Sequence, residues 1–140
     1  MNEEIHESLT APILIVEDNS FCYYALTSIL QQYQLEFDTA WDGEWAFEMV
    51  ERRYKESGTT YKLIVMDFYM PNLNGLMTMQ KILDLLSPDV IDRKLKLPYL
   101  VLLTNGNVQK FGSKMLESGF DKVLKKPIFK QGVQRLLIDA

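Results

Sequence analysis

Apolar residues fall along this chain in two alternating kinds of block. Short runs with almost no polar interruption, PILIV (12–16), KLIVM (62–66) and PYLVLLT (98–104), alternate with longer stretches of helical spacing. Cys22, Ala25, Leu26, Ile29, Leu30 and Tyr33 follow i, i+3, i+4, i+7, i+8, i+11, one face of an amphipathic helix. Ala46, Met49, Val50 and Tyr54 predict a second face, and Leu76, Met79, Ile82, Leu83 and Leu86 a third. Val108, Phe111 and Met115 predict a fourth, and Phe129, Val133, Leu136 and Leu137 a short last one. LEFDTAW (35–41) and KVLKK (122–126) complete five strands.

The punctuation agrees with this reading. Asn19 or Ser20 can cap the first helix, Asp42-Gly43 turns into the second, Gly119 stops the fourth, and Pro127 stops the fifth strand. Ser87 to Leu97 reads as a long polar connection edged by Pro88 and Pro98. Residues 1–11 are polar and aperiodic and read as a tail or linker, which leaves 12–140 as one domain. Strand then helix, five times over, implies an α/β fold: a doubly wound parallel sheet covered on both faces. Right-handed crossovers limit the topologies available to it.

The polar residues that interrupt this pattern sit at strand ends. Glu17-Asp18 follows the first strand, Asp67 the third, Thr104 closes the fourth and Lys126 the fifth. In open α/β sheets the carboxyl ends of the strands form the ligand crevice. Each residue alone has a bland explanation. Acids suit a helix start, Thr104 suits an N-cap, and a lysine suits a surface. An acid ending a strand buried on both faces is harder to explain, because burial costs solvation. Two carboxylates about 4 Å apart repel by roughly 4 kcal/mol at an effective dielectric of about 20. Three acids and one lysine therefore call for a proton or a cation. Oxygen ligands alone select a hard ion: Mg²⁺, with Mn²⁺ or Ca²⁺ as alternatives. Such a metal beside a carboxylate, a hydroxyl and an ammonium meets the needs of phosphoryl transfer, and an Asp can be the nucleophile.

Composition changes this picture little. The chain has 140 residues and a net charge of −4, which gives no reason to expect nucleic acid or an anionic membrane as a partner. Acids dominate the first fifty residues and lysines cluster from Lys110 to Lys130, a distribution read as two solvated faces. The single Cys22 excludes an internal disulfide and fits a reducing, cytoplasmic setting. The only histidine, His6, lies in the polar start, which argues against a His-based metal site or a Ser-His-Asp triad within the fold. No apolar run reaches the length of a membrane span. Trp41 and Trp45 read as packing residues, and Cys22 as buried and inert.

In order along the chain stand an acidic pair, D-x-x-M-P-x-x-x-G (67–75), a Thr and Lys-Pro, each after its strand. Residues 12 to about 139 thereby resemble the response regulator receiver domains of two-component signalling. The resemblance implies a (βα)5 fold with the flavodoxin-like strand order 2-1-3-4-5. It implies Asp67 as phosphoacceptor, with Mg²⁺ (or Mn²⁺) held by Asp18 directly, Glu17 mainly through water, Asp67, and the backbone carbonyl of Tyr69. Thr104 and Lys126 would contact the phosphoryl group, Lys125 would not, and the Lys126-Pro127 bond would be cis. The donor would be a histidine kinase or a histidine phosphotransfer protein. The domain would be a self-phosphorylating and self-dephosphorylating switch or relay rather than a turnover enzyme. It would be a stand-alone relay or, as the long third connection suggests, the receiver of a hybrid histidine kinase tethered to a membrane sensor.

Two positions depart from the family pattern. Val123 stands where an aromatic residue usually precedes the motif lysine by three positions, and Asn105 where a small residue usually follows the Thr. Asn105 and Tyr69 imply restricted water around an acyl phosphate and slow hydrolysis. A pseudo-receiver, an interaction module that is not phosphorylated, is the serious alternative. A haloacid-dehalogenase-type phosphatase would need an acid where Tyr69 stands. In a flavodoxin-like electron carrier, Glu17-Asp18 would repel the cofactor phosphate.

Overall fold

The computed structural model describes residues 11–92, 95–106 and 109–140. The strands are β1 (Ile13–Val16), β2 (Phe37–Ala40), β3 (Leu63–Asp67), β4 (Tyr99–Thr104) and β5 (Lys122–Lys125). The helices are α1 (Ser20–Gln32), α2 (Gly43–Ser57), α3 (Gly75–Asp92), α4 (Lys110–Ser118) and α5 (Lys130–Asp139). All strand pairs are parallel, in the order β2-β1-β3-β4-β5, as the family resemblance implied.

The unbroken apolar runs have a direct structural cause. Successive side chains of a strand point to opposite faces, and here both faces are covered. Leu14, Val16, Ile64, Met66, Leu100 and Leu102 meet Ala46 and Val50 of α2, Met79, Ile82 and Leu86 of α3, and Met115 of α4. Ile13, Ile15, Leu63, Val65, Val101 and Leu103 meet Leu26 and Leu30 of α1 and Val133 and Leu136 of α5. The stripe of α1 is turned slightly from the predicted one: Thr27 is buried, and Ala25 is exposed.

Capping follows the side chains the sequence offers. Asn19 accepts from the amide of Cys22 at 3.0 Å, and Asp42 from that of Trp45 at 2.8 Å. Asn74, expected only to form a turn with Gly75, accepts from the amide of Met77 at 2.9 Å and so caps α3. Gly58 and Gly119, both with positive φ, end α2 and α4.

One expectation is overturned. The polar connection predicted from Ser87 begins later, because α3 continues through Pro88 to Asp92. A proline within a helix removes one backbone donor and normally ends it. Here the turn beyond it is held by tertiary contact: the Tyr54 hydroxyl of α2 donates to the Asp89 carboxylate, and the amide of Leu95 to the Asp89 carbonyl at 3.1 Å. Ala11, counted with the tail, is fully buried, and its carbonyl accepts from Arg53 at 2.6 Å. Residues 1–10, including His6, and Val108 lie outside the described residues.

At the start of α2 a side chain has no room. A Cβ on Gly43 would lie 2.0 Å from Thr78 Oγ1 and 3.0 Å from the Leu73 carbonyl oxygen. Gly43→Ala is therefore expected to cost about 1–3 kcal/mol by overpacking the contact between α2 and α3, measured as a lower urea midpoint at unchanged m-value.

Candidate functional site

Strand register brings the polar strand ends to one edge. Val16 of β1 lies beside Met66 of β3, so Glu17 and Asp67 follow at adjacent ends. Asp67 lies beside Leu103, one residue before Thr104. The amide of Lys126 donates to the Thr104 carbonyl at 2.9 Å, which fixes the lysine where β5 leaves the sheet. The Lys126-Pro127 bond is cis, as expected.

Lys126 Nζ lies 2.8 Å from Glu17 Oε1 and 3.2 Å from Asp67 Oδ1, and all three side chains are more than nine-tenths buried. Its neighbour Lys125 is exposed. Carboxylate oxygens of Glu17, Asp18 and Asp67 all lie within 4.8 Å of one another. Asp18 is the exposed member and opens the cluster to solvent. Thr104 is buried, and its Oγ1 accepts from the Gly106 amide at 3.0 Å in a tight local turn rather than capping a helix. Tyr69, two residues past Asp67, is 64% exposed and packs edge-on against Phe68. Asn105 is exposed.

The electrostatics follow from burial. Loss of solvent pushes the Glu17 carboxyl above its ordinary range, a shift the Lys126 ammonium opposes and the Asp67 charge reinforces. Burial alone would lower the Lys126 ammonium. Its contacts with Glu17, and then Asp67, outweigh that and hold it above the usual lysine range. Both Glu17 oxygens are buried; Oε1 faces the Lys126 ammonium, and Oε2 has no hydrogen-bond partner among the described residues. Three carboxylates facing one ammonium, with one buried oxygen left unpartnered and one solvent-open ligand, fit a hard divalent cation that keeps part of its water shell.

Two expectations change here. Trp41 and Trp45 are not packed away: they are 42% and 45% exposed. Cys22 is only partly buried. Burial raises its thiol, and Lys126 and Glu17 act on it as well, so it borders the acid cluster. Nothing in its helical spacing shows that proximity, since the approach is set by where Lys126 leaves β5. At the usual aromatic position, Val123 is buried in the core beside Phe120.

The family model for the response regulator receiver domain matches residues 13–137. The chain belongs to this family. Receiver domains are phosphoacceptor signalling domains that bind Mg²⁺ at an acidic pocket and interact with histidine kinases or phosphotransfer proteins. The receiver is 26% identical over 137 residues to hybrid signal transduction histidine kinase L of Dictyostelium discoideum, covering 96% of this chain and 8% of that protein. It is 30% identical over 125 residues to transcription factor SKN7 of Chaetomium thermophilum, covering 89% of this chain and 15% of that one. The chain thus spans a small part of the length of these relatives. A solved receiver domain of the sensor histidine kinase PA1611 from Pseudomonas aeruginosa, with a magnesium ion coordinated in its active-site cleft, superposes with a TM-score of 0.71. It is 25% identical, and the match covers 91% of this chain and 93% of that one. CheY in a CheX-CheY-BeF3-Mg complex from Borrelia burgdorferi shares the fold at a TM-score of 0.72 and 21% identity, over 91% of this chain and 86% of that one. No helix among the described residues is long and apolar enough to cross a membrane.

Removing the ammonium tests the charge balance. Lys126→Met leaves Glu17 and Asp67 facing each other without a countercharge and is expected to cost about 3 kcal/mol in metal-free buffer. Adding MgCl2 is expected to return part of that loss, read from urea unfolding with and without the salt.

Proposed function

We propose that this receiver takes a phosphoryl group from a partner's phosphohistidine onto Asp67 in a Mg²⁺-dependent reaction and acts as a signalling switch or relay intermediate. The observation that carries the reading is the Lys126 ammonium, 2.8 Å from Glu17 and 3.2 Å from Asp67, at the edge of an acid cluster open to solvent only at Asp18. An Asp67 carboxylate oxygen attacks phosphorus, a P–O bond forms, the P–N bond breaks, and its electron pair returns to the donor imidazole. Lys126 offsets charge on the transferring oxygens, and Thr104 supplies a hydroxyl for a phosphoryl oxygen once its local turn yields. Asp18, Glu17, Asp67 and the Tyr69 carbonyl are the proposed metal ligands. A bound Mg²⁺ would neutralise charge around the phosphoryl oxygens.

The likeness to a hybrid histidine kinase over 96% of this chain supports a histidine kinase or phosphotransfer protein as donor. The second reading is a pseudo-receiver that keeps the fold without the chemistry. It is favoured by Val123, whose small buried side chain stands at the usual aromatic position.

Incubation with acetyl phosphate and MgCl2, followed by intact-mass measurement, separates the two readings. The expected result is an adduct of one phosphoryl group, absent without metal and absent in Asp67→Asn. An unmodified mass under all conditions would establish the pseudo-receiver. The adduct is also expected to be long-lived, because bulky Tyr69 follows the acceptor by two positions and Asn105, rather than a small residue, follows Thr104. Tyr69→Ala should shorten its lifetime several-fold, and a wild-type half-life of only seconds would contradict the shielding role.

A further inference from the structure

The chain holds two Asn-Gly pairs, Asn74-Gly75 and Asn105-Gly106, and the fold treats them in opposite ways. An asparagine before glycine carries a latent reaction, because no Cβ shields the following amide nitrogen from the carboxamide carbon. In the first pair the reacting groups are engaged. Asn74 Oδ1 accepts from the Met77 amide at 2.9 Å, and the Gly75 amide donates to the Phe68 carbonyl at 2.8 Å. Gly75 is also buried, with Leu102 Cδ1 2.8 Å from where a Cβ would stand. In the second pair Asn105 is exposed, and its carboxamide has no hydrogen-bond partner among the described residues. A Cβ on Gly106 would meet only Thr104 Oγ1, at 3.3 Å, among the described residues.

One contact restrains this second pair. The Gly106 amide donates to Thr104 Oγ1 at 3.0 Å, so the nitrogen that would attack is held in the local turn that starts at Thr104. We infer that Asn105 is a site of covalent self-modification, deamidation through a succinimide, and that the Thr104 hydroxyl sets its rate. Solvent hydroxide takes the Gly106 amide proton, and the nitrogen attacks Asn105 Cγ. A C–N bond forms to close the ring and the carboxamide C–N bond breaks. The departing nitrogen takes a proton from water and leaves as ammonia. Water then adds to one ring carbonyl and the ring C–N bond opens, leaving aspartate or isoaspartate at position 105. Water and hydroxide are the only co-reactants. Conversion turns a neutral side chain into a carboxylate one residue beyond Thr104, at an edge where acids already outnumber the base. The inference stands whether or not Asp67 accepts phosphate, since the reacting groups belong to Asn105 and Gly106 alone.

The test incubates the full chain in mildly alkaline buffer made with water enriched in heavy oxygen, followed by digestion and mass mapping. Ring opening places one heavy oxygen at position 105, and fragment ions separate it from Asn107. A synthetic peptide of residues 102–108 gives the rate without a fold. The expected result is conversion at Asn105, slower than in the peptide, with Asn74 intact. Thr104→Val should speed conversion at least three-fold, while Thr104→Ser, which restores the hydroxyl, stays within two-fold of wild type. Gly106→Ala should slow it at least five-fold; the φ of Gly106 is not left-handed, so alanine fits its backbone. Asn74 reports on folding within the same molecule. Its conversion alongside Asn105, in wild type or Thr104→Val, would assign the reaction to opening of the whole fold and overturn the proposal. So would equal rates in wild type and Thr104→Val, or no conversion at Asn105 in either over the time that exhausts the peptide.

Discussion

One buried ammonium holds the functional edge of this protein together. Lys126 stands between Glu17 and Asp67, two acids from strands on its far side in the sheet, and brings charge of opposite sign to both. Without it, carboxylates packed against an apolar core would carry the cost of desolvation and of mutual repulsion. The geometry exists only because β1 and β3 are neighbours and β5 lies two strands further on. In the order of the chain the same residues would be dispersed. The acid cluster is thus a consequence of crossover topology as much as of residue type.

A second polar arrangement, at the opposite end of the sheet, has no reactive geometry and shows the contrast. Arg53 is buried with its guanidinium 3.8 Å from the centre of the Tyr61 ring, donating to the Ala11 carbonyl, while Tyr61 donates to Asp38 at 2.7 Å. Arg53 also lies 3.4 Å from Asp38. Each charge there has a protein partner of opposite sign, and the set ties the edge strand β2 to its neighbours. At the carboxyl edge the acids outnumber the base and one of them faces water. That imbalance, rather than the presence of buried charge, distinguishes a site from a staple. The aromatic contacts nearest Asp67 run through Phe68, whose ring meets both Tyr69 and Phe111 edge-on, while Val123 is absorbed into the core.

The fold was legible because each layer imposes its own period. Strands covered on both faces must be apolar throughout, and helices covering them must be apolar every three to four residues, so the five pairs appear in the residue pattern. Where a tertiary contact competes with a local rule, the pattern misleads. Pro88 reads as a boundary, yet Tyr54 and Leu95 hold Asp89 and the helix passes through. Trp41 and Trp45 read as core by their chemistry, yet the turn capped by Asp42 leaves both half-exposed. Asn74 reads as turn chemistry and is a cap, because the same side chain serves both roles.

The sequence by itself determined which groups are available: acids, a hydroxyl and a lysine at the ends of apolar runs, with no His or Cys to favour a softer metal among the candidate ligands. The likeness of its Lys-Pro pair to the receiver motif, rather than the residues alone, marked Lys126 instead of Lys125 as the one turned inward. Tertiary structure alone decided that these groups meet, that Glu17 is buried while Asp18 stays open to water, and that Cys22 borders them. The reason is physical. Residue type sets what a side chain can bind, but distance and desolvation depend on which strands are adjacent, and adjacency is a property of the packed sheet, not of local order along the chain.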